Sequence, residues 1–317
     1  MSGKLSVSVV ICAYTQRRWD DLNLAIASAL EQEATTQVIV VIDYEPELLR
    51  RVSQRWPSIT VLPNVSRQGL SGARNTGLAA ASGSIVAFLD DDAAADSDWL
   101  ETMLDAFDDS RVVAVGGSAR PVWPRSSAPN CLPPELLWVV GCTHQGQPTR
   151  RATVRNVIGC SMAFRRNDLT VIGGFNLDTG RVGTIPLGAE ETEVCIRLRQ
   201  ADPSRRIVFE PKSIVRHRVT PERTTWSYLL RRSFYEGISK AALSRSLGAG
   251  DALASERSYT ARVLPAGIAR QLLTLKPQGA AAIVLSLAAA STGYLYGFLR
   301  GAKLTRVNSD PRRTMAH

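Results

Sequence analysis

Apolar segments that alternate with helix-like segments constrain the fold of this chain most strongly. Residues 6–13 (SVSVVICA) and 37–42 (QVIVVI) have the composition of buried strands, and residues 19–32 between them repeat apolar side chains at helical spacing. Strands that are apolar throughout and alternate with helices indicate a parallel sheet covered on both faces. The sequence therefore predicts an α/β fold with a Rossmann-like, mostly parallel central sheet and helices on both faces.

The same alternation continues beyond these first elements, and it sets the predicted domain organisation. We expect further helices at 46–55, 71–81 and 190–199, further strands at 59–62, 85–89, 113–122, 154–164, 207–209 and 213–217, a turn at 173–175 and a long loop at 121–148. Long loops within compact domains are commonly lids or binding loops. We predict a catalytic domain at 1–220 and a basic helical C-terminal region at 221–317.

Carboxylates follow two of the predicted strands. Asp90, Asp91 and Asp92 end the apolar segment 85–89, and Asp43 follows residues 37–42. Ligands of parallel sheets bind at the carboxyl ends of the strands, and Mg²⁺ is typically held by one or two carboxylates together with substrate phosphates. The cluster is thus consistent with a metal-bound diphosphate, and the alternative is a solvated acidic turn or a helix cap.

Residues 64–77 (NVSRQGLSGARNTG) form a second candidate binding segment. Its glycines allow close approach of a ligand to the backbone, and Arg74 offers planar donors for phosphate at the beginning of a helix. In the alternative interpretation, Ser71 caps the helix and Arg74 only forms a salt bridge.

Five motifs in order make the chain resemble the family 2 inverting glycosyltransferases with the GT-A fold. They are VSVVICAYTQR, VVIDY, GLSGARNTGL, AFLDDDA and GAEETEVCIRL, and the resemblance covers about residues 5–245. They resemble, in turn, the family's opening strand and nucleotide loop, its second-strand aspartate, its arginine-asparagine helix start, its Asp-x-Asp metal motif and its acidic catalytic helix. Ala13 stands where the family often has proline, and Tyr44 stands where a second acidic residue is common.

The resemblance implies a role for each matching residue. The nucleotide-sugar-binding residues would be Ala13, Tyr14, Thr15, Arg17, Asp43, Gly69, Arg74, Asp90 and Asp91, with Asp43 at the base. Asp92 would be the principal ligand of Mg²⁺ or Mn²⁺, together with Asp90. His217 is a further candidate because a histidine in this region can help to bind the metal or diphosphate in related enzymes; a structural role is the alternative.

The motif at residues 188–191 supplies the candidate catalytic carboxylates. Inverting transfer needs a base that takes the proton of the acceptor hydroxyl. The family usually has Glu-Asp here, so the resemblance assigns Glu191 as the base, one methylene longer, and Glu190 as a helper carboxylate. Glutamates in a first helical turn also stabilise the helix dipole, which is the structural alternative. Residues 180–183 and 186–188 would form a flexible loop that closes over the donor or acceptor.

The C-terminal third carries the positive charge of the chain. The formal net charge is +9, yet from Arg205 onward there are 19 basic and only 6 acidic residues. Residues 225–245 mix aromatic and basic residues at helical spacing, which suits an anionic membrane surface or a helix packed on the catalytic domain. Residues 279–299 lack charge and are long enough to span a bilayer, so they indicate membrane association or, alternatively, a buried or oligomer-forming helix.

Together these features predict a metal-dependent inverting glycosyltransferase that uses a nucleotide-sugar donor to transfer a hexosyl or deoxyhexosyl group. The acceptor would be a glycan or lipid-linked hydroxyl presented at the cytoplasmic face of a membrane. Five scattered cysteines and the lack of a recognisable signal peptide favour a cytoplasmic location. Alternatives are a nucleotidyltransferase of similar fold and a non-catalytic protein that binds anionic membranes or nucleic acid; no nucleic-acid motif accompanies the charge, so we expect no nucleic-acid partner.

Overall fold

The structure is a computed structural model that describes residues 5–125, 127–178 and 188–300. Within these residues a single nine-stranded sheet forms the centre of the molecule. Its strands are β1 (Val7–Ala13), β2 (Thr35–Ile42), β3 (Thr60–Pro63), β4 (Ile85–Asp90), β5 (Ala93–Ala95), β6 (Val112–Val122), β7 (Ala152–Thr153), β8 (Ser161–Arg165) and β9 (Arg206–Arg218).

The sheet is mostly parallel, as the apolar strand segments predict. The strand order is β3-β2-β1-β4-β8-β6-β9-β5, with β7 paired to β9 off this path. Strands β1 to β4 run parallel to one another, and β6 runs parallel to β9. Strands β5, β7 and β8 are antiparallel to their neighbours.

Helices surround the sheet and continue into the C-terminal segment. They are α1 (Trp19–Leu30), α2 (Pro46–Arg55), α3 (Leu70–Ala80), α4 (Trp99–Leu104), α5 (Arg166–Val171), α6 (Glu190–Ala201), α7 (Trp226–Leu247), α8 (Ala249–Ala252), α9 (Ala254–Ser258), α10 (Leu264–Leu273) and α11 (Pro277–Arg300). Proline begins α2 and α11, where its fixed φ and missing N–H are tolerated. Thr225 caps α7 by accepting a hydrogen bond from the backbone N–H of Tyr228.

Two buried clusters cover the two faces of the sheet. Because neighbouring side chains of a strand point to opposite faces, Val9 and Ile11 of β1 pack in the cluster with α1, α2 and α4, whereas Val10 packs in the cluster with α3 and α6. This is the two-sided burial that uninterrupted apolar strands require.

Three predicted elements differ in detail. The strand predicted at 154–164 is confined to Ser161–Arg165, and the two strands predicted at 207–217 are one strand that bulges at 210–214. The predicted loop at 121–148 contains a 3₁₀ helix at Pro134–Val140, whose apolar residues pack in a cluster with Leu229, Leu264 and Ile283 of the C-terminal helices. Contacts with residues distant in sequence decide where these elements begin and end, so the periodicity within a segment does not predict their limits.

Candidate active site

The carboxyl ends of the parallel strands gather the predicted acidic residues at one edge of the sheet. Cys12 of β1 pairs with Asp90 of β4, and Ala13 pairs with Ile42 of β2, directly before Asp43. The prediction that Asp43 and Asp90 share this edge is therefore confirmed. Sheet register alone produces this arrangement, because parallel neighbours end together.

Asp90, Asp92 and His217 form the candidate metal centre. One ligand atom from each residue lies within 4.8 Å of the other two. Asp90 ends β4, while His217 belongs to β9 and reaches the aspartates because β5 pairs with β9 next to them. Two carboxylates and an imidazole are a donor set that Mn²⁺ accepts well.

The surroundings of Asp92 fit a cation. Its Oδ2 atom is buried and has no hydrogen-bond partner within the described part of the chain. Burial favours the neutral acid, yet His217, Arg18 and Arg223 hold the pKa of Asp92 well below its usual range. Asp92 is thus a carboxylate that keeps its negative charge in a buried position, with Oδ2 3.1 Å from Arg18 Nη1.

His217 is held so that one ring nitrogen faces Asp92. Nε2 lies 3.3 Å from Asp92 Oδ1, and Nδ1 lies 3.8 Å from the Cys142 sulfur. Burial opposes protonation, but the Asp92 carboxylate outweighs it and raises the pKa of His217 to about 10. At neutral pH His217 therefore carries a proton toward Asp92, and a cation would have to displace that proton for Nε2 to become a ligand.

Two arginines that sequence reasoning missed complete this centre. Arg18 Nη1 lies 2.6 Å from Asp91 and 3.1 Å from Asp92, and Arg223 Nη2 lies 3.5 Å from Asp92. Arg17 is exposed on the short 3₁₀ helix, whereas its neighbour Arg18 turns inward. The sequence signal was the pair Arg17-Arg18 in the predicted nucleotide loop, but no periodicity within it shows which arginine faces the acids.

Arg74 links the metal centre to the catalytic helix. Its Nη2 contacts Asp90 at 3.3 Å and donates to the Gly159 carbonyl, while Nη1 donates to Glu190 at 2.9 Å. The guanidinium is buried and lies over the ring of Phe175. It therefore fixes the spacing between two predicted functional carboxylates, and it lines the cavity at the same time.

Glu190 and Glu191 begin α6 next to this bridge. Ala189, directly before the helix, has a left-handed backbone with φ of 78°, a conformation that non-glycine residues adopt rarely and often near functional sites. Glu190 Oε2 is buried without a hydrogen-bond partner in the described residues. Burial and the nearby Glu190 raise the pKa of Glu191 to about 8, a value suited to a base that works near neutral pH.

The predicted nucleotide-binding residues surround the ends of β1 and β2. Asp43 accepts hydrogen bonds from Asn64 Nδ2 at 2.6 Å and from the Gly69 N–H at 3.0 Å, so it anchors the loop before α3. Gly69 has φ of 127°, which favours glycine. Ala13 is buried, Tyr14 is exposed and Thr15 caps the 3₁₀ helix.

A single cavity of about 900 Å³ connects the metal centre with the catalytic carboxylates. Asp90, Asp92, His217 and both glutamates line it. Its opposite wall comes from α7 and α11, so the C-terminal helices enclose the site. Of the predicted closing loop, residues 180–183 and 186–187 lie outside the described residues.

The fold of the chain is the GT-A fold. The structure superposes on a mannosyltransferase of Pyrobaculum calidifontis solved with GDP-mannose and Mn²⁺, with a TM-score of 0.60 over 93% of this chain and 88% of that chain at 19% identity. It also superposes on GalNAc-T7 solved with UDP, GalNAc and Mn²⁺, with a TM-score of 0.55 over 88% of this chain and 59% of that chain at 14% identity. At such identities the likeness concerns the fold.

Sequence comparison gives the family. The family model of Glycosyl transferase family 2 matches residues 8–173. The chain is 31% identical to a glucosyl-dolichyl phosphate glucuronosyltransferase of Haloferax volcanii over 96% of this chain and 100% of that protein. It is 24% identical to the succinoglycan biosynthesis protein ExoM of Rhizobium meliloti over 75% of each. The chain therefore belongs to glycosyltransferase family 2, as its motifs predict.

Proposed function

We propose that this enzyme transfers a hexosyl or deoxyhexosyl group, with inversion, from a nucleotide-diphosphate sugar to a hydroxyl of a lipid-linked acceptor. The observation that carries the proposal is the connection, within one cavity, of an Asp-Asp-His triad, in which Asp92 and His217 are buried, and a carboxylate whose pKa is about 8. The first group suits a metal-bound diphosphate, and the second suits a base for the acceptor hydroxyl.

In this proposal Asp90, Asp92 and His217 would hold Mg²⁺ or Mn²⁺. The bound cation would offset the negative charge that develops on the leaving diphosphate. Glu191 takes the proton of the attacking hydroxyl, and Glu190, fixed by Arg74, orients the acceptor. Arg18 and Arg223 line the same cavity, pair with Asp92 and keep it ionised. Asp43 and Gly69 shape the pocket for the nucleotide.

A lipid-linked acceptor is supported by two observations. The relative that matches over its whole length is named for activity on a glucosyl-dolichyl phosphate. In addition, α11 has the length and apolar composition of a membrane span. Only 28% of its most apolar 18-residue stretch is buried within the protein. We propose that α10 and α11 place the enzyme at the cytoplasmic face of a membrane, where such an acceptor is accessible.

The decisive test is a donor screen with two variants. Purified protein is titrated with UDP-, GDP- and dTDP-sugars in the presence of Mn²⁺ or Mg²⁺, and thermal shift and donor hydrolysis are followed. One nucleotide class should raise the melting temperature in a metal-dependent way. Asp92→Ala should lose this shift. Glu191→Gln should keep it but slow donor hydrolysis, which is transfer to water, by at least about a hundredfold, because a general base contributes roughly 10²- to 10⁴-fold.

Leu24→Ser on the exposed surface of α1 is the control and should match the wild type in both assays. Full transfer by Glu191→Gln would remove Glu191 from the role of base. An unchanged metal response in Asp92→Ala would remove the triad from the role of metal site.

A further inference from the structure

Beyond Glu191, the cavity wall carries five charged side chains that we call the α7 charge cluster: Arg155, Arg232, Glu236, Lys240 and Glu256. Arg232 Nη1 donates to Glu236 at 2.8 Å, and Lys240 Nζ lies 2.7 Å from Glu256 and 3.5 Å from Glu236. Arg155 donates to both oxygens of Glu256, at 2.5 and 3.0 Å. All five side chains line the cavity, and none is more than 28% exposed.

This cluster has more positive than negative charge. Among the described residues, the three cations of the cluster form ion pairs with only two carboxylates, those of Glu236 and Glu256. Glu191, the nearby carboxyl, holds its proton at neutral pH because burial and Glu190 raise its pKa to about 8. A buried excess charge is unfavourable, so a wall that carries one is suited to a ligand that brings the opposite charge.

The position of the cluster indicates which ligand this would be. Arg74 contacts Asp90 on one side and Glu190 on the other. Arg232 lies just before the beginning of α6, since its Nη2 is 3.3 Å from the position that a Cβ atom would take on Gly188. The base is thus flanked by the metal centre on one side and by the cluster on the other. Because the donor diphosphate belongs to the metal side, the cluster faces the acceptor.

An apolar path leads from the cluster to the surface. Leu287 and Leu295 of α11 line the same cavity and are also 39% and 61% exposed. Phe298 and Leu299, further along α11, are exposed as well. A ligand held at Arg232 could therefore extend an alkyl chain along α11 toward solvent or a bilayer.

We infer that the α7 charge cluster, centred on Arg232, binds the phosphate ester of the lipid-linked acceptor, with the lipid chain leaving the cavity past Leu287 and Leu295. This inference rests on the proposed function and specifies its acceptor: a phosphate close to the sugar that receives the transferred group. Arg232 is suited to this ligand because a planar guanidinium can donate two hydrogen bonds to one phosphate.

The test measures binding of farnesyl phosphate to the full chain, loaded with Mn²⁺ and the nucleoside diphosphate selected by the donor screen so that the metal-linked phosphate site is filled. Arg232→Gln should raise the Kd for farnesyl phosphate at least about tenfold, and Arg232→Lys should restore part of the affinity. Arg231→Gln is the matched control: it removes the same charge one residue away, from an exposed arginine outside the cavity wall, and should leave the Kd unchanged.

Two further ligands separate the contributions of phosphate and lipid. Farnesol should bind more weakly than farnesyl phosphate and be insensitive to Arg232→Gln, whereas inorganic phosphate should compete only at millimolar concentration. Equal loss of affinity in Arg231→Gln and Arg232→Gln, or equal affinity for farnesol and farnesyl phosphate, would overturn the inference while leaving the proposed function intact. If no donor raises the melting temperature or is hydrolysed in the donor screen, the proposed function is overturned, and this inference with it.

Discussion

Glu191 is the residue whose environment bears most directly on the reaction. It lies at the first turn of α6, where the helix dipole favours a negative charge, yet burial and the adjacent Glu190 raise its pKa to about 8. At neutral pH the carboxyl group therefore carries its proton in most molecules. Arg74 lowers the pKa of Glu191, but only weakly, because its guanidinium forms ion pairs with Asp90 and Glu190.

This environment predicts the pH dependence of transfer. The single-turnover rate should rise about tenfold per pH unit below pH 7 and level off above about pH 8, because only the ionised Glu191 can accept a proton. The measurement is a rapid-quench assay with saturating Mg²⁺ and donor between pH 6 and 9. A flat profile across this range would contradict the assignment.

The same shift affects stability in the opposite direction. Because the folded-state pKa is raised above its ordinary value of 4.5, the stabilising contribution of the neutral group is complete below about pH 4.5 and is lost as pH rises through about 8. Glu191→Gln keeps a neutral side chain, so its melting temperature should exceed that of the wild type at pH 9 and approach it at pH 4.5.

The pairing of α7 with α11 depends on close backbone contact. A Cβ atom on Gly293 would lie 1.9 Å from the carbonyl oxygen of Phe234, and one on Gly237 would lie 2.0 Å from that of Ala290. Ser233 and Ser286 also share a hydrogen bond of 2.8 Å across the pair. Small residues therefore allow α11 to pack closely against α7, and this packing places α11 in the cavity wall.

Substitution at this contact tests the packing. Gly293→Ala should lower the free energy of unfolding by about 1–3 kcal/mol, because overpacking against backbone outweighs the roughly 1 kcal/mol that alanine gains in a helix. Gly250→Ala, where no heavy atom lies within 4 Å of the new Cβ, is the matched control and should be neutral or stabilising. Urea unfolding followed by circular dichroism measures both; equal stability of the two variants would argue against the close packing.

At the scale of the whole molecule, the described residues expose an apolar surface at the α10–α11 junction. Leu273 and Leu275 are 84% and 88% exposed, and Leu272 beside them is also exposed. Lys276 and Arg300 lie at the two ends of α11. Exposed leucines next to basic residues suit the boundary between lipid headgroups and acyl chains.

This surface predicts binding to anionic vesicles. The double variant Leu273→Ser, Leu275→Ser should reduce partition into vesicles of phosphatidylcholine and phosphatidylglycerol (7:3) by at least about tenfold, since each buried leucine contributes about 1.5–3 kcal/mol. Leu24→Ser, at an exposed leucine of α1 on a different part of the molecule, should have no effect. Cosedimentation measures the partition, and equal binding by both variants would exclude the α10–α11 surface as the membrane contact.

Much of the sheet could be predicted from the sequence because its strands are defined locally. The segments around β1, β2 and β4 are apolar throughout, and their carboxyl ends carry Ala13, Asp43 and Asp90. Once the strands are known to be parallel, their ends must meet at one edge, so the position of the acidic site follows from local patterns. The strand predicted at 154–164 begins before β8 does, because the limits of β8 depend on its pairing with β4 and β6.

The sequence by itself determined the parallel strands β1, β2 and β4, the edge of the sheet that carries the acids and the acidic start of α6, since strand and helix periodicity are properties of neighbouring residues. Only the tertiary structure decided that Arg18 rather than Arg17 contacts Asp91, that Arg74 joins Asp90 to Glu190, and that α7 and α11 enclose the cavity. These arrangements join residues 16 to more than 100 positions apart. Such contacts depend on how the elements pack, which no local pattern records.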